Sequence, residues 1–142
     1  MCSSDLLVTG EEFAGRHGLH PLARIRSAAT VGCDPAVMGI GPIPATRKAM
    51  ARAALKVDAL DVIEINEAFA SQALACIREL QLDPAKINID GGGMALGHPL
   101  GATGARITGK AASLLARTKG RYALATQCIG GGQGIATVIE SL

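Results

Sequence analysis

The chain has 142 residues, 49% of them hydrophobic, with 14 basic side chains against 12 acidic. That length suits one domain of ordinary size, able to bury about 70% of the surface its unfolded chain would expose. Every apolar run breaks off before the roughly 18 residues of a membrane span. A formal net charge of +2 and three aromatics, Phe13, Phe69 and Tyr122, give no basic field or stacking platform, so neither membrane nor nucleic acid is expected as a partner.

Residues 5 to 18 read as a short helix, with Thr9 as an N-cap, Glu11 and Glu12 in the first turn and Gly18 as a stop. Residues 22 to 31 partly alternate and predict a strand, followed by a loop holding Pro35, Gly39, Gly41, Pro42 and Pro44. Pro44 suits the first helical position, and 45 to 56 place Met50, Ala53, Ala54 and Val57 on one face of an amphipathic helix. Val62, Ile63 and Ile65 predict a buried parallel strand ending at Asn66, which then caps a helix over 67 to 80.

Ile87 and Ile89 mark a third strand running into Gly91-Gly92-Gly93. Beyond it, 103 to 117 form a helix with few charges on any face, which expects to be covered. Tyr122 to Cys128 and Gly134 to Glu140 are the last two strands. The order βαβαβαββ calls for an α/β fold: a mixed, mostly parallel sheet with helices on its faces and a final antiparallel pair. Right-handed crossovers then place several strand ends along one edge of the sheet.

Cys2, Cys33, Cys76 and Cys128 are 31, 43 and 52 positions apart, spacings that suit neither a zinc site nor a redox CxxC pair. Free thiols and a reducing, cytoplasmic or organelle-matrix compartment are expected, with no metal and no secretory signal. Twelve of the 18 glycines lie between Gly91 and Gly134, so the working surface is expected in the C-terminal third. GARITGKA (104 to 111) nearly satisfies a P-loop but ends in Ala111 where Mg²⁺ needs a hydroxyl, and neither GxGxxG nor GxSxG occurs.

Three residues stand at the ends of different predicted strands: Asn66 in NEAFA, His98 in GHPLG and Cys128 in CIGGG. Gly97 and Pro99 fix the direction of the His98 imidazole. The glycines after Cys128 can turn their N–H groups toward a developing negative charge. A thiol whose pKa is poised near neutrality beside such donors suits acyl or proton transfer. Asn66 offers a neutral amide that can hold a water or a carbonyl near the imidazole.

The segments MGIGPIPATRKA (38 to 49), INEAFA (65 to 70), GGGMALGHPLGATGARI (91 to 107) and CIGGGQGIA (128 to 136) resemble the C-terminal half of a thiolase. That class cleaves or forms 3-ketoacyl-CoA thioesters. The resemblance implies a thiolase-like C-terminal domain over 21 to 142, preceded over 1 to 20 by the tail of an N-terminal half. It implies that His98 activates the nucleophilic cysteine and helps polarise the thioester carbonyl of the second substrate. Asn66 would hold a water completing the oxyanion hole, Cys128 would be the acid/base thiol, and Gly130 would offer its N–H to the tetrahedral intermediate. Met38 and Phe69 are similar to residues lining the acyl pocket.

No cofactor is implied beyond the CoA thioester as substrate. The partners implied are acyl-CoA or CoA, and either the missing N-terminal half or a homo-oligomer. None of Cys2, Cys33 and Cys76 sits in the family's nucleophile context, so this chain alone is expected to be inactive. The competing reading is a non-catalytic acyl-CoA-binding or interaction module that keeps the fold.

Overall fold

A computed structural model of the chain describes residues 5 to 142; Cys2 lies outside the described residues. Helix α1 (Glu11–Arg16) is shorter than expected and is capped by the Gly10 backbone instead of the Thr9 side chain. Strand β1 (Arg24–Gly32) leads through a 3₁₀ segment (Pro35–Ile40) into α2 (Pro42–Ala53). Pro42, not Pro44, takes the first helical position, because Gly41 already has helical dihedrals and lets the helix begin there. Ala54 then ends α2 in the left-handed conformation.

Next come β2 (Val62–Ile65), α3 (Ala70–Glu79), the single turn α4 (Gly93–Leu96), α5 (Leu100–Thr118), β3 (Tyr122–Ile129) and β4 (Gln133–Glu140). The four strands form one mixed sheet in the order β1-β4-β3-β2. Only β2 and β3 are parallel; β3–β4 and β1–β4 are antiparallel, so most pairing is antiparallel, contrary to expectation. The expected third strand shrinks to a single parallel bridge between Ile63 and Ile87. Beyond that bridge Asn88 takes a left-handed conformation (φ 44°) and turns the chain off the sheet.

Alternation along the strands builds two apolar layers. Ile63, Ile65, Leu124, Ala136 and Val138 pack with Ile43, Ala45, Ala49 and Met50 of α2 and Cys76 of α3. Val62, Ala123 and Ile139 face the other way, onto Ala111, Ala112, Leu114 and Leu115 of α5. The sheet thus separates α2 and α3 from α5. Both crossovers leave from carboxyl ends, of β1 and β2, and enter β2 and β3 at their amino ends, so Gly32, Ile65 and Ile129 end their strands at the same edge of the sheet.

Candidate active site

Asn66 is the first residue after β2. Its N–H donates to the Thr126 carbonyl (2.9 Å), which continues the β2–β3 ladder by one step, and its side chain is fully buried. It does not cap α3, as the sequence suggested; the helix starts later, with extended Phe69 at the cap position. Neither amide atom of Asn66 has a hydrogen-bond partner among the described residues. A buried amide with no partner costs about 1–3 kcal/mol, so this side chain is held in place by its surroundings.

Those surroundings are a network that sequence reasoning missed. The Asn88 side chain accepts the Ile65 N–H (3.0 Å) and donates to the Ile65 carbonyl (3.0 Å), doing for β2 what a paired strand residue would do. The same amide donates to Glu67 Oε1 (2.7 Å), and Glu67 Oε2 accepts the Met94 N–H (2.9 Å) at the start of α4. A Cβ on Gly92 would stand 2.5 Å from Asn88 Nδ2 and 2.5 Å from Glu67 Oε1, so glycine is required there by close approach. A Cβ on Gly93 would stand 3.2 Å from Asn66 Oδ1. The glycine turn therefore lies directly against the Asn66 amide. Its other side is tied to α5, where Asp90 pairs with Lys110 and makes a bidentate contact with Arg117 (2.6 and 2.8 Å).

His98 follows α4 after Gly97 (φ 90°), on the surface of this chain. Its Nδ1 lies 2.7 Å from Thr103 Oγ1, which also lies 3.1 Å from the Pro99 carbonyl. The ring is thus pinned to the first turn of α5 through Nδ1, leaving Nε2 as the nitrogen free for chemistry. Thr103 is fully buried, and its neighbour Gly104 faces Gln127 of β3, the residue before Cys128.

Cys128 is buried (8% exposed) near the end of β3. Burial pushes its thiol pKa up, the reverse of the expected poise near neutrality, because there is too little water around the sulfur to solvate a thiolate. Burial likewise pushes Cys76 up to about 11. Strand alternation sets Cys128 on the side of Leu124 and α2, whereas Asn66 and Gln127 stand on the α5 side. Asn66 and Cys128 therefore lie near the carboxyl ends of the neighbouring strands β2 and β3 but on opposite faces, and His98 lies beside the first turn of α5.

Gly130, Gly131 and Gly132 make the β3–β4 turn with φ of 61°, 72° and 152°, values that L side chains rarely adopt. Gly130 is exposed there. Met38 is half-buried in the 3₁₀ segment, and Phe69 is 67% exposed. Two cavities, of about 590 and 430 Å³, lie away from all of these residues. Among the described residues no group of three or more His, Cys, Asp or Glu could hold a metal ion, and no helix is long and apolar enough to cross a membrane.

The mixed four-stranded sheet, with α2 and α3 on one face and α5 on the other, defines an α/β domain. The profile described as "Thiolase, C-terminal domain" matches residues 19–141, and this chain belongs to that family. Among curated relatives, the chain is 60% identical over 129 residues to beta-ketothiolase BktB of Cupriavidus necator, covering 91% of this chain and 33% of the relative. It is 52% identical over 143 residues to a 3-ketoacyl-CoA thiolase of Photorhabdus laumondii subsp. laumondii, covering 99% and 37%.

Among solved structures, human mitochondrial 3-ketoacyl-CoA thiolase superposes with a TM-score of 0.91 at 50% identity, over 93% of this chain and 33% of that one. A structure of that human enzyme in complex with CoA gives 0.90 at 50% identity, over 93% and 34%. The acetyl-CoA acetyltransferase of Bacillus anthracis gives 0.90 at 48% identity, over 93% and 34%. The chain thus spans about a third of the length of the relatives it matches.

Proposed function

We propose that this chain supplies the C-terminal part of a thiolase active site, acting on 3-ketoacyl-CoA or acetyl-CoA thioesters by thiolytic cleavage or Claisen condensation. The observation that carries the proposal is the Asn66 amide, buried, without a partner and fixed beside the turn that leads to His98. Such a group is arranged to serve something outside the chain's own hydrogen bonding.

In this reading Asn66 holds a water that, with His98, stabilises the enolate oxygen of the second thioester. His98 also activates a nucleophilic cysteine carried by another segment. Cys128 takes the α-proton in condensation and returns it in cleavage. Its raised pKa favours the protonated donor, which suits the cleavage direction, and the thiolate forms only where hydrogen-bond donors in the assembled site offset the cost of burial. Gly130 donates its N–H to the tetrahedral intermediate, and Met38 and Phe69 border the acyl group. Each preorganised donor contributes about 10²- to 10³-fold in rate.

The domain begins near Pro21, with residues 1 to 20 as the tail of an N-terminal half. That half, or a further copy, covers the exposed apolar side chains Met94, Leu96 and Leu100 around His98, which are 65–84% exposed. The compartment is cytoplasmic. CoA binds through the complete protein.

The test is reconstitution with an N-terminal thiolase half that carries the nucleophile, following loss of acetoacetyl-CoA in the presence of CoA. Turnover is expected only with both parts, falling at least about 10²-fold with Cys128→Ser or His98→Ala. Turnover indifferent to both substitutions would refute the assigned roles. CoA binding without turnover would favour a non-catalytic module.

A further inference from the structure

We propose that Glu67, acting through Asn88 and Met94, is a positioning residue that fixes Asn66 relative to His98; its catalytic meaning rests on the reading given above. Each oxygen of its carboxylate has a different partner, and the two partners belong to different parts of the site. Oε1 accepts from the Asn88 amide, whose other contacts clamp both backbone groups of Ile65, the residue before Asn66. Oε2 accepts from the Met94 N–H, in the single turn α4 that ends at Gly97, the residue before His98. Asn66 itself thus sits between two anchored neighbours. Its own amide makes no hydrogen bond among the described residues that could orient it.

The chemistry of the linking group matters. All three atoms facing Glu67 and Asn88 Oδ1 are N–H donors: Asn88 Nδ2, Met94 N and Ile65 N. Only a carboxylate presents two acceptors to Asn88 and Met94 together; a carboxamide would turn an NH₂ toward one of them. Hydrogen bonds to a charged acceptor are worth about 1.5–3 kcal/mol, roughly twice the neutral kind, which suits a strut across a turn that is otherwise three glycines. Close packing leaves the strut no slack at its Asn88 end, since any Cβ at Gly92 would collide with both Asn88 Nδ2 and Glu67 Oε1.

Nuclear magnetic resonance on the folded chain tests this without any catalytic turnover. In Glu67→Ala the Met94 amide should exchange with solvent at least about tenfold faster, the loss expected for one such hydrogen bond. The Asn66 side-chain amide and the His98 ring signals should both shift, while amides of the β3–β4 hairpin keep their positions. Glu67→Gln, which preserves volume and one acceptor, should show the same changes at smaller amplitude and serves if the alanine variant does not fold. Glu79→Ala, removing an exposed carboxylate that pairs with Arg47, is the control and should move neither signal.

Unchanged Asn66 and His98 signals in both Glu67 variants would overturn the proposal. So would movement of one without the other, or a disturbance spread evenly over the sheet. Failure of reconstituted turnover with these signals behaving as expected would instead count against the thiolase roles and leave the strut standing.

Discussion

The two faces of the sheet are made by alternate residues of the same strands, and they are finished very differently. On the α2–α3 side, Ile63, Ile65, Leu124 and Val138 are at most 1% exposed among apolar neighbours, and the buried Thr46 and Thr126 hydroxyls lie 3.4 Å apart. On the α5 side, the apolar layer of Val62, Ala123 and Leu115 gives way, toward the strand ends, to Glu64, Asn66 and Gln127. These bury polar atoms without partners among the described residues, as does Arg106 of α5. One face is a nearly completed core, with Gln72 Oε1 of α3 its one buried side-chain polar atom lacking a partner among the described residues. The other combines a core with a polar site whose partners lie outside the chain's own bonds, and such sites are where folded proteins give up stability for function.

The contrast can be broken most severely where α2 meets β4. A Cβ on Gly134 would fall 1.9 Å from the Gly41 carbonyl oxygen, a backbone atom that cannot step aside. Gly134→Ala should therefore cost more than about 4 kcal/mol in urea unfolding, or prevent folding. A loss under about 1 kcal/mol would show that this face tolerates rearrangement. Leu124→Ala, in the same face, should cost about 3 kcal/mol by cavity formation, measured by the same unfolding.

Glu64 probes the polar face. Burial, only partly offset by Arg106 and Lys110, raises its pKa from 4.5 to about 7. The folded chain then holds this proton more tightly than the unfolded chain does. Stability from Glu64 is fully present below about pH 4.5 and is lost as pH rises to about 7, a decline on the order of 1–3 kcal/mol. Glu64→Gln should flatten that slope, and an unchanged slope would remove Glu64 from the account. Asp90 works in the opposite sense: Arg117 and Lys110 hold its carboxyl well below the usual range, so its contribution fades only in acid. The smallest effect is expected at the exposed Arg47–Glu79 pair, where Glu79→Ala should change stability by under about 1 kcal/mol.

What the sequence made legible was periodic or punctuated. The β-branched run of β2, the alternation of β3 and β4 and the small-residue pattern of α5 all appear near their expected positions, because side-chain spacing sets which face is buried. The glycine clusters pointed to the turns flanking the site for a physical reason visible at Gly92, where nothing larger than hydrogen fits. The third strand misled because Ile87 and Ile89 look like strand residues, while the chain's course is decided by Asn88, whose left-handed turn and side-chain amide replace a ladder.

The Asn66 cap failed for a related reason. Its backbone continues the pairing with β3, and that long-range bond outweighs a local preference for capping. The Glu67 strut left one trace, a carboxylate following Asn66. Nothing in local spacing connects it to Met94, 27 residues away. The thiol pKa was illegible for the same cause, since it depends on how much water the fold removes.

Strand β1 carries a further consequence. It is one of the two outer strands of the sheet, and its register slips between Ile25 and Ser27, leaving Arg26 opposite no partner residue, paired by its side chain with Glu140 (3.4 Å). An outer strand with a kink and the cations Arg24 and Arg26 along it is a poor template for edge-on addition of another chain. On this side the sheet is thereby protected from growing into a ribbon.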